Sequence, residues 1–220
     1  MPTHQTFHSE LDKLNKKLLT MGAMVEDRVR KAVTVIETHD EEIITSIIRS
    51  DYQIDDMEVE IEEDCLKILA LHQPVASDLR FLITVIKINN EIERIGDMAV
   101  NIAKRVNVIT QSATDIKSGF DYGEMSEHVI NMLRMSLDAL VHRDAAMARQ
   151  IFLIEEKVNE IRNQAYDSVL NMLTKYPEHP GCMISNYLLA RHLERIADRA
   201  TNIAEEVIYL VEGEIVRLHI

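Results

Sequence analysis

A polar pattern occurs twice in this chain, about 100 residues apart. Glu93-Arg94-Ile95-Gly96-Asp97-Met98-Ala99-Val100-Asn101-Ile102-Ala103 returns as Glu194-Arg195-Ile196-Ala197-Asp198-Arg199-Ala200-Thr201-Asn202-Ile203-Ala204. Eight of the eleven positions are identical. A repeat with this spacing describes two copies of one unit. Packing alone accounts for the repeated Ile and Ala. It gives no reason to keep Glu, Asp and Asn at matching places.

The apolar residues around the repeat fall at steps of three and four, which is helical spacing. Leu11, Leu14, Leu18, Met21, Val25, Val29, Val33 and Ile36 make the first such run, predicting a helix over 6–38. A second is expected over 41–71, with Asp40 as its cap and a stop at His72-Gln73-Pro74. A third runs over 77–110, with Ser77 as N-cap. Residues 112–123 are polar, hold two glycines and read as a linker. Three more helices follow over 124–141, 145–175 and 183–212, with Gly213 as the final C-cap. Several are near 30 residues, or about 45 Å long. No stretch alternates with period two. The expected fold is all-α: two tandem antiparallel three-helix bundles, 1–113 and 121–220, because tight turns between long helices force antiparallel neighbours.

Composition excludes several function classes. Net charge is −13, from 37 acidic and 24 basic residues, so the surface repels nucleic acid phosphate and anionic lipid. No apolar run reaches the roughly 20 residues of a membrane span, and the first ten residues lack the apolar core of a signal peptide. A cytoplasmic protein is expected. Cys65 and Cys182 sit in apolar stretches and read as buried free thiols. There is no glycine-rich phosphate loop and no G-x-S-x-G.

The repeated polar residues carry the functional argument. Glu93, Asp97 and Asn101 stack on one helix face, as do Glu194, Asp198 and Asn202. Each row should face outward or toward the neighbouring bundle. Like charges at this spacing destabilise a helix slightly. Arg94 and Arg195 could pair with the aspartates, leaving a solvated face. Alternatively the rows hold a cation, with help from the acid-rich second helix, where Asp55, Glu58 and Glu62 fall at steps of three and four. The matching part of the fifth expected helix carries Asn159 and Arg162, so the second half should bind a cation more weakly. Oxygen donors suit Mg²⁺, Mn²⁺ or Ca²⁺, and carboxylates also bind iron. Cys or His at structural-zinc spacing is absent, as is the Glu-x-x-His pair of di-iron bundles. His39, His72, His142 and His179 lie near helix ends and read as caps or exposed polar residues.

These blocks resemble the PhoU family of phosphate-transport accessory regulators. The resemblance rests on Leu19-Thr20-Met21-Gly22-Ala23-Met24-Val25-Glu26, on Gln73-Pro74-Val75-Ala76-Ser77-Asp78-Leu79-Arg80 and on the two repeated blocks, in that order. It implies two three-helix bundles, a homodimer and a non-enzymatic role. The implied function is negative regulation of phosphate uptake and of the phosphate regulon. The implied partners are the ATPase subunit of a phosphate ABC transporter and a sensor histidine kinase. It also implies divalent or trivalent metal (Mg, Mn, Fe or Zn) at Glu93, Asp97, Glu194 and Asp198, with Asp55 as a further ligand. Asp78 and Arg80 become candidates for partner contact, together with Arg94 and Arg195. Two other readings compete: a metal-dependent enzyme on a helical scaffold, which would need an acid, base or nucleophile beside the metal, and a plain helical scaffold.

Overall fold

In a computed structural model, residues 2–112 and 120–216 are described. They form seven helices: α1 (Pro2–Thr38), α2 (Glu41–Arg49), α3 (Tyr52–His72), α4 (Ala76–Gln111), α5 (Gly123–His142), α6 (Ala145–Lys175) and α7 (Pro180–Glu212). No strand occurs among the described residues. Most of the expected linker, residues 113–119, lies outside them.

The six expected rods are present, and the second is interrupted. Ser50 closes α2, donating its backbone N–H to Ser46 O, and Asp51 opens α3. This separates α2 from α3 where continuous helix was expected. Asp40 caps α2 as foreseen, accepting from the N–H groups of Glu42 and Ile43 at 2.9 and 3.1 Å. Asp144 does the same for α6 through Ala146 and Met147. Ser77 is not a cap: α4 begins one residue earlier, after Val75, with no side-chain cap. The last helix likewise starts at Pro180, since proline suits the first helical turn. Gly213 is left-handed at φ 79° and closes α7 by donating to Tyr209 O.

In the first half α1, α3 and α4 pack on one another, with α2 lying against α1 and α4. In the second, α5, α6 and α7 do so. The halves meet chiefly along α4 and α7, with α1 also touching α5. One continuous core crosses that seam, joining Leu18, Ile61, Ile88 and Ile95 to Val129, Leu133, Ile196 and Ile203. A small satellite of Val169, Cys182 and Met183 lies under the α6–α7 turn. Cross-seam contacts fix the direction of the pair. Arg80 lies over the Tyr209 ring, Lys87 bonds Glu206 at 2.9 Å, and Asn202 bonds Glu91 at 3.1 Å. The partner's number falls as α4 advances, so α4 and α7 are antiparallel. Both repeated blocks therefore lie on the central pair of helices.

Candidate functional site

The first-half block supplies Asp97 to a convergence of carboxylates. Oxygens of Asp51, Asp55 and Asp97 lie within 4.8 Å of one another, the one such acidic grouping among the described residues. Three pieces of chain build it: the α2–α3 break, the first turn of α3 and the middle of α4. The break matters because it brings Asp51 in from the start of α3. Arg28 of α1, only 5% exposed, lies beside the group and feels the charge of all three acids. It donates to Asp51 at 3.1 Å and to the Ser50 carbonyl at 2.6 Å. Burial pulls the Arg28 pKa down, against the opposing pull of Asp51, Asp55 and Asp97. A guanidinium stays charged under such a shift, so Arg28 is a fixed positive charge beside three acids.

One guanidinium does not neutralise the group. Burial pushes the Glu93 carboxyl up to about 7, and the charges of Asp97, Glu58 and Asp55 add to the shift. Asp55 is raised by burial and by Asp51, and Glu58 by burial, Glu62 and Asp55. Neighbouring acids that raise one another's pKa favour a bound cation. The oxygen-only donor set fits a hard ion such as Mg²⁺, Mn²⁺ or Ca²⁺, and also iron. Glu93, Glu58 and Glu62 stand outside the converging three.

The second half is built differently. Glu194 is 6% exposed and already paired. Arg162 of α6 donates to one carboxylate oxygen at 3.1 Å, and Arg191, one turn earlier on α7, donates to the other. Asp198 is raised by burial and by Glu194, and lowered by Arg199, Arg191 and Arg195. Asn202 gives its side-chain amide to Glu91 across the seam, beside Arg199. Arginine thus holds the motif glutamate where a cation would sit.

Several assignments change in this light. Arg94 and Arg195 are exposed, and neither forms an ion pair with its aspartate among the described residues. The intrahelical pair that forms is Arg191 with Glu194, because a glutamate's longer chain reaches back one turn. Glu194 points into its own half and not outward. Arg80 is not a free contact residue: its guanidinium stacks on Tyr209 at 5.7 Å and packs against Gly213. Asp78 is half-buried in the first turn of α4.

Sequence reasoning missed Asp51, Arg28, Arg191 and Glu155. Glu155 is 7% exposed on α6, and the charge of Asp198 is among the causes of its raised pKa, after burial. It lies one turn before Asn159, so the helical step that yielded Asp55, Glu58 and Glu62 could have found it. Arg28 carried no signal, since it lies on α1, outside the repeated eleven-residue block.

The comparisons with known proteins match this architecture. The PhoU domain model covers residues 18–106 and again 122–207, one match in each half. The chain belongs to the PhoU family. It is 34% identical to a phosphate-specific transport system accessory protein PhoU homolog of Clostridium acetobutylicum, over 99% of each protein. It is 33% identical to the phosphate-specific transport system accessory protein PhoU of Escherichia coli K12, over 94% of this chain and 86% of that one. The crystal structure of PhoU from Pseudomonas aeruginosa superposes with a TM-score of 0.89 at 34% identity, covering 94% of this chain and all of that one. The phosphate transport system regulatory protein PhoU of Streptococcus pneumoniae superposes at 0.87 with 30% identity, covering 96% and 100%. These PhoU proteins are named as accessory and regulatory proteins, not as enzymes. No helix among the described residues is long and apolar enough to cross a membrane.

Proposed function

We propose that this chain is an accessory regulator of phosphate-specific transport, acting from the cytoplasm by protein contact and not by catalysis. The observation that carries this reading is the end-to-end similarity to proteins named for that role, with both PhoU domains present. Its action is restraint of uptake through the transporter's ATPase subunit. It also relays transport state to a sensor histidine kinase, which keeps phosphate-starvation genes off when phosphate is plentiful. The acidic surface supports protein contact over DNA contact. Exposed Arg94 and Arg195 and half-buried Asp78 are the side chains offered for such contact.

A divalent or trivalent cation would be held by Asp51, Asp55 and Asp97, with Glu93 and Glu58 beside them. Its part is electrostatic: it would relieve repulsion among these acids and stiffen the junction of α2, α3 and α4. Glu194 and Asp198 are the weaker pair, because Arg162 and Arg191 hold Glu194.

Deletion in the source organism tests the regulatory reading. A phosphate-starvation reporter should rise in phosphate-replete medium, and the tagged chain should co-purify the transporter ATPase and the sensor kinase. Asp78→Ala with Arg94→Ala should stay folded and lose the co-purification. A silent reporter in the deletion strain would overturn the assignment.

A further inference from the structure

A second acidic feature lies outside the carboxylate convergence. Between α3, α4 and α7 runs a cleft of about 480 Å³, walled by Glu58, Glu62, Asn89, Glu91, Asn202 and Glu206. It lies on the seam between halves, so neither half forms it alone. Two buried acceptors on its wall lack a donor. Asn89 is 1% exposed and gives its Nδ2 to the Glu58 carbonyl at 2.9 Å, which leaves its Oδ1 without a partner. Glu206 accepts from Lys87 on one oxygen, and its other oxygen is buried and unpartnered. Unsatisfied buried acceptors are costly and rare, so two on one wall call for a donor.

The spread of these groups selects the donor. A metal ion needs several oxygens within about 2.0–2.6 Å of one point. Among the described residues three acidic ligand atoms converge only at Asp51, Asp55 and Asp97, and not in the cleft. Acceptors dispersed over such a volume suit a ligand whose positive groups are themselves dispersed. The chain already seats one alkylammonium here. The Lys87 ammonium donates to Glu206 and lies 5.5 Å from the Tyr209 ring centre. Ile86 on the same wall offers apolar surface for methylene spacers.

We propose that the cleft between α3, α4 and α7 binds a linear polyamine, with ammonium groups on Glu62 and Glu206 and on the amide oxygen of Asn89. The ligand ties α3 of one half to α7 of the other, so its binding strengthens the seam.

Calorimetric titration of spermidine into the intact, metal-free chain at about 0.15 M salt tests this. Saturable binding is expected, weakened about tenfold or more by Glu62→Gln with Glu206→Gln, the loss of two charge-assisted hydrogen bonds. Asp55→Asn with Asp97→Asn should leave it nearly unchanged. Lys87→Met should tighten it, because it releases the occupied Glu206 oxygen, and a misfolded variant would not bind more tightly. Thermal melts confirm that each variant is folded. The proposal is overturned if no saturable binding occurs or if the Glu62/Glu206 variant binds as the parent does. It is equally overturned if the Asp55/Asp97 variant loses binding to the same degree, or if equimolar Mg²⁺ displaces spermidine fully.

Discussion

Arg162→Met tests the claim that the second repeated block is closed by arginine. Arg162 gives its Nε to Glu194 at 3.1 Å, and the Glu194 side chain is only 8% exposed. Removing Arg162 leaves that carboxylate with Arg191 as its remaining guanidinium partner. A hydrogen bond to a buried charged group is worth about 1.5–3 kcal/mol, and Arg191 retains part of the neutralisation, so the expected loss is about 2 kcal/mol. For a chain of this size that is a fall in Tm of roughly 4–8 °C. Urea unfolding of the parent, Arg162→Met, Glu194→Gln and the double variant closes a thermodynamic cycle. A coupling energy of about 1.5 kcal/mol is expected between the two positions. The variant should also take up more Mn²⁺ in its second half, since a guanidinium no longer competes for Glu194. Coupling indistinguishable from zero would mean that Arg191 alone satisfies Glu194, and the physical reason given for the weak second site would fail.

Gly213→Ala should cost about 1 kcal/mol, because φ is +79°, a conformation in which a Cβ is strained, while the Arg80 guanidinium can swing aside; a melt unchanged from the parent would count against the left-handed cap at Gly213. Cys65 and Cys182, 0% and 4% exposed, should resist a thiol-specific chromogenic reagent until the chain is unfolded. Burial, followed by the charges of Asp64 and Glu62, pushes the Cys65 thiol up to about 12, so little thiolate exists at neutral pH, and rapid native labelling would contradict this. Residues 1–113 expressed without 121–220 should bind a hydrophobic dye and associate, because the core crosses the α4–α7 seam; a dye-silent monomeric half would show that each bundle is self-sufficient.

The long rods were legible because apolar residues at steps of three and four recur over about seven turns, as in α1 and α4. The repeat also marked the central pair, since the two matching blocks became the two helices of the seam. The interruption at Ser50–Asp51 was not legible: no proline or glycine stands there, and isoleucines continue in helical phase on both sides, at Ile44, Ile47 and Ile54. Missing the break meant missing Asp51. Asp55 and Asp97 could be named from spacing alone, but their meeting depends on how α3 packs on α4. Arg162 was flagged as an intruder in the acidic pattern, and it does reach Glu194. The choice of Arg191 over Arg195 depends on side-chain reach toward a buried glutamate, which residue type and spacing leave open. Cross-seam contacts such as Glu91 with Arg199 and Asn202 join residues from different repeats, and nothing local in either repeat announces them.

Unequal cation affinity of the two blocks is the claim on which the site reading stands. Calorimetric titration of Mn²⁺ into the metal-free chain measures it directly, run beside Asp55→Asn with Asp97→Asn and beside Glu194→Gln with Asp198→Asn. The account predicts that the first pair abolishes the tightest binding step and that the second pair leaves it in place. Equal loss from both pairs, or no saturable Mn²⁺ binding by the parent chain, would contradict it.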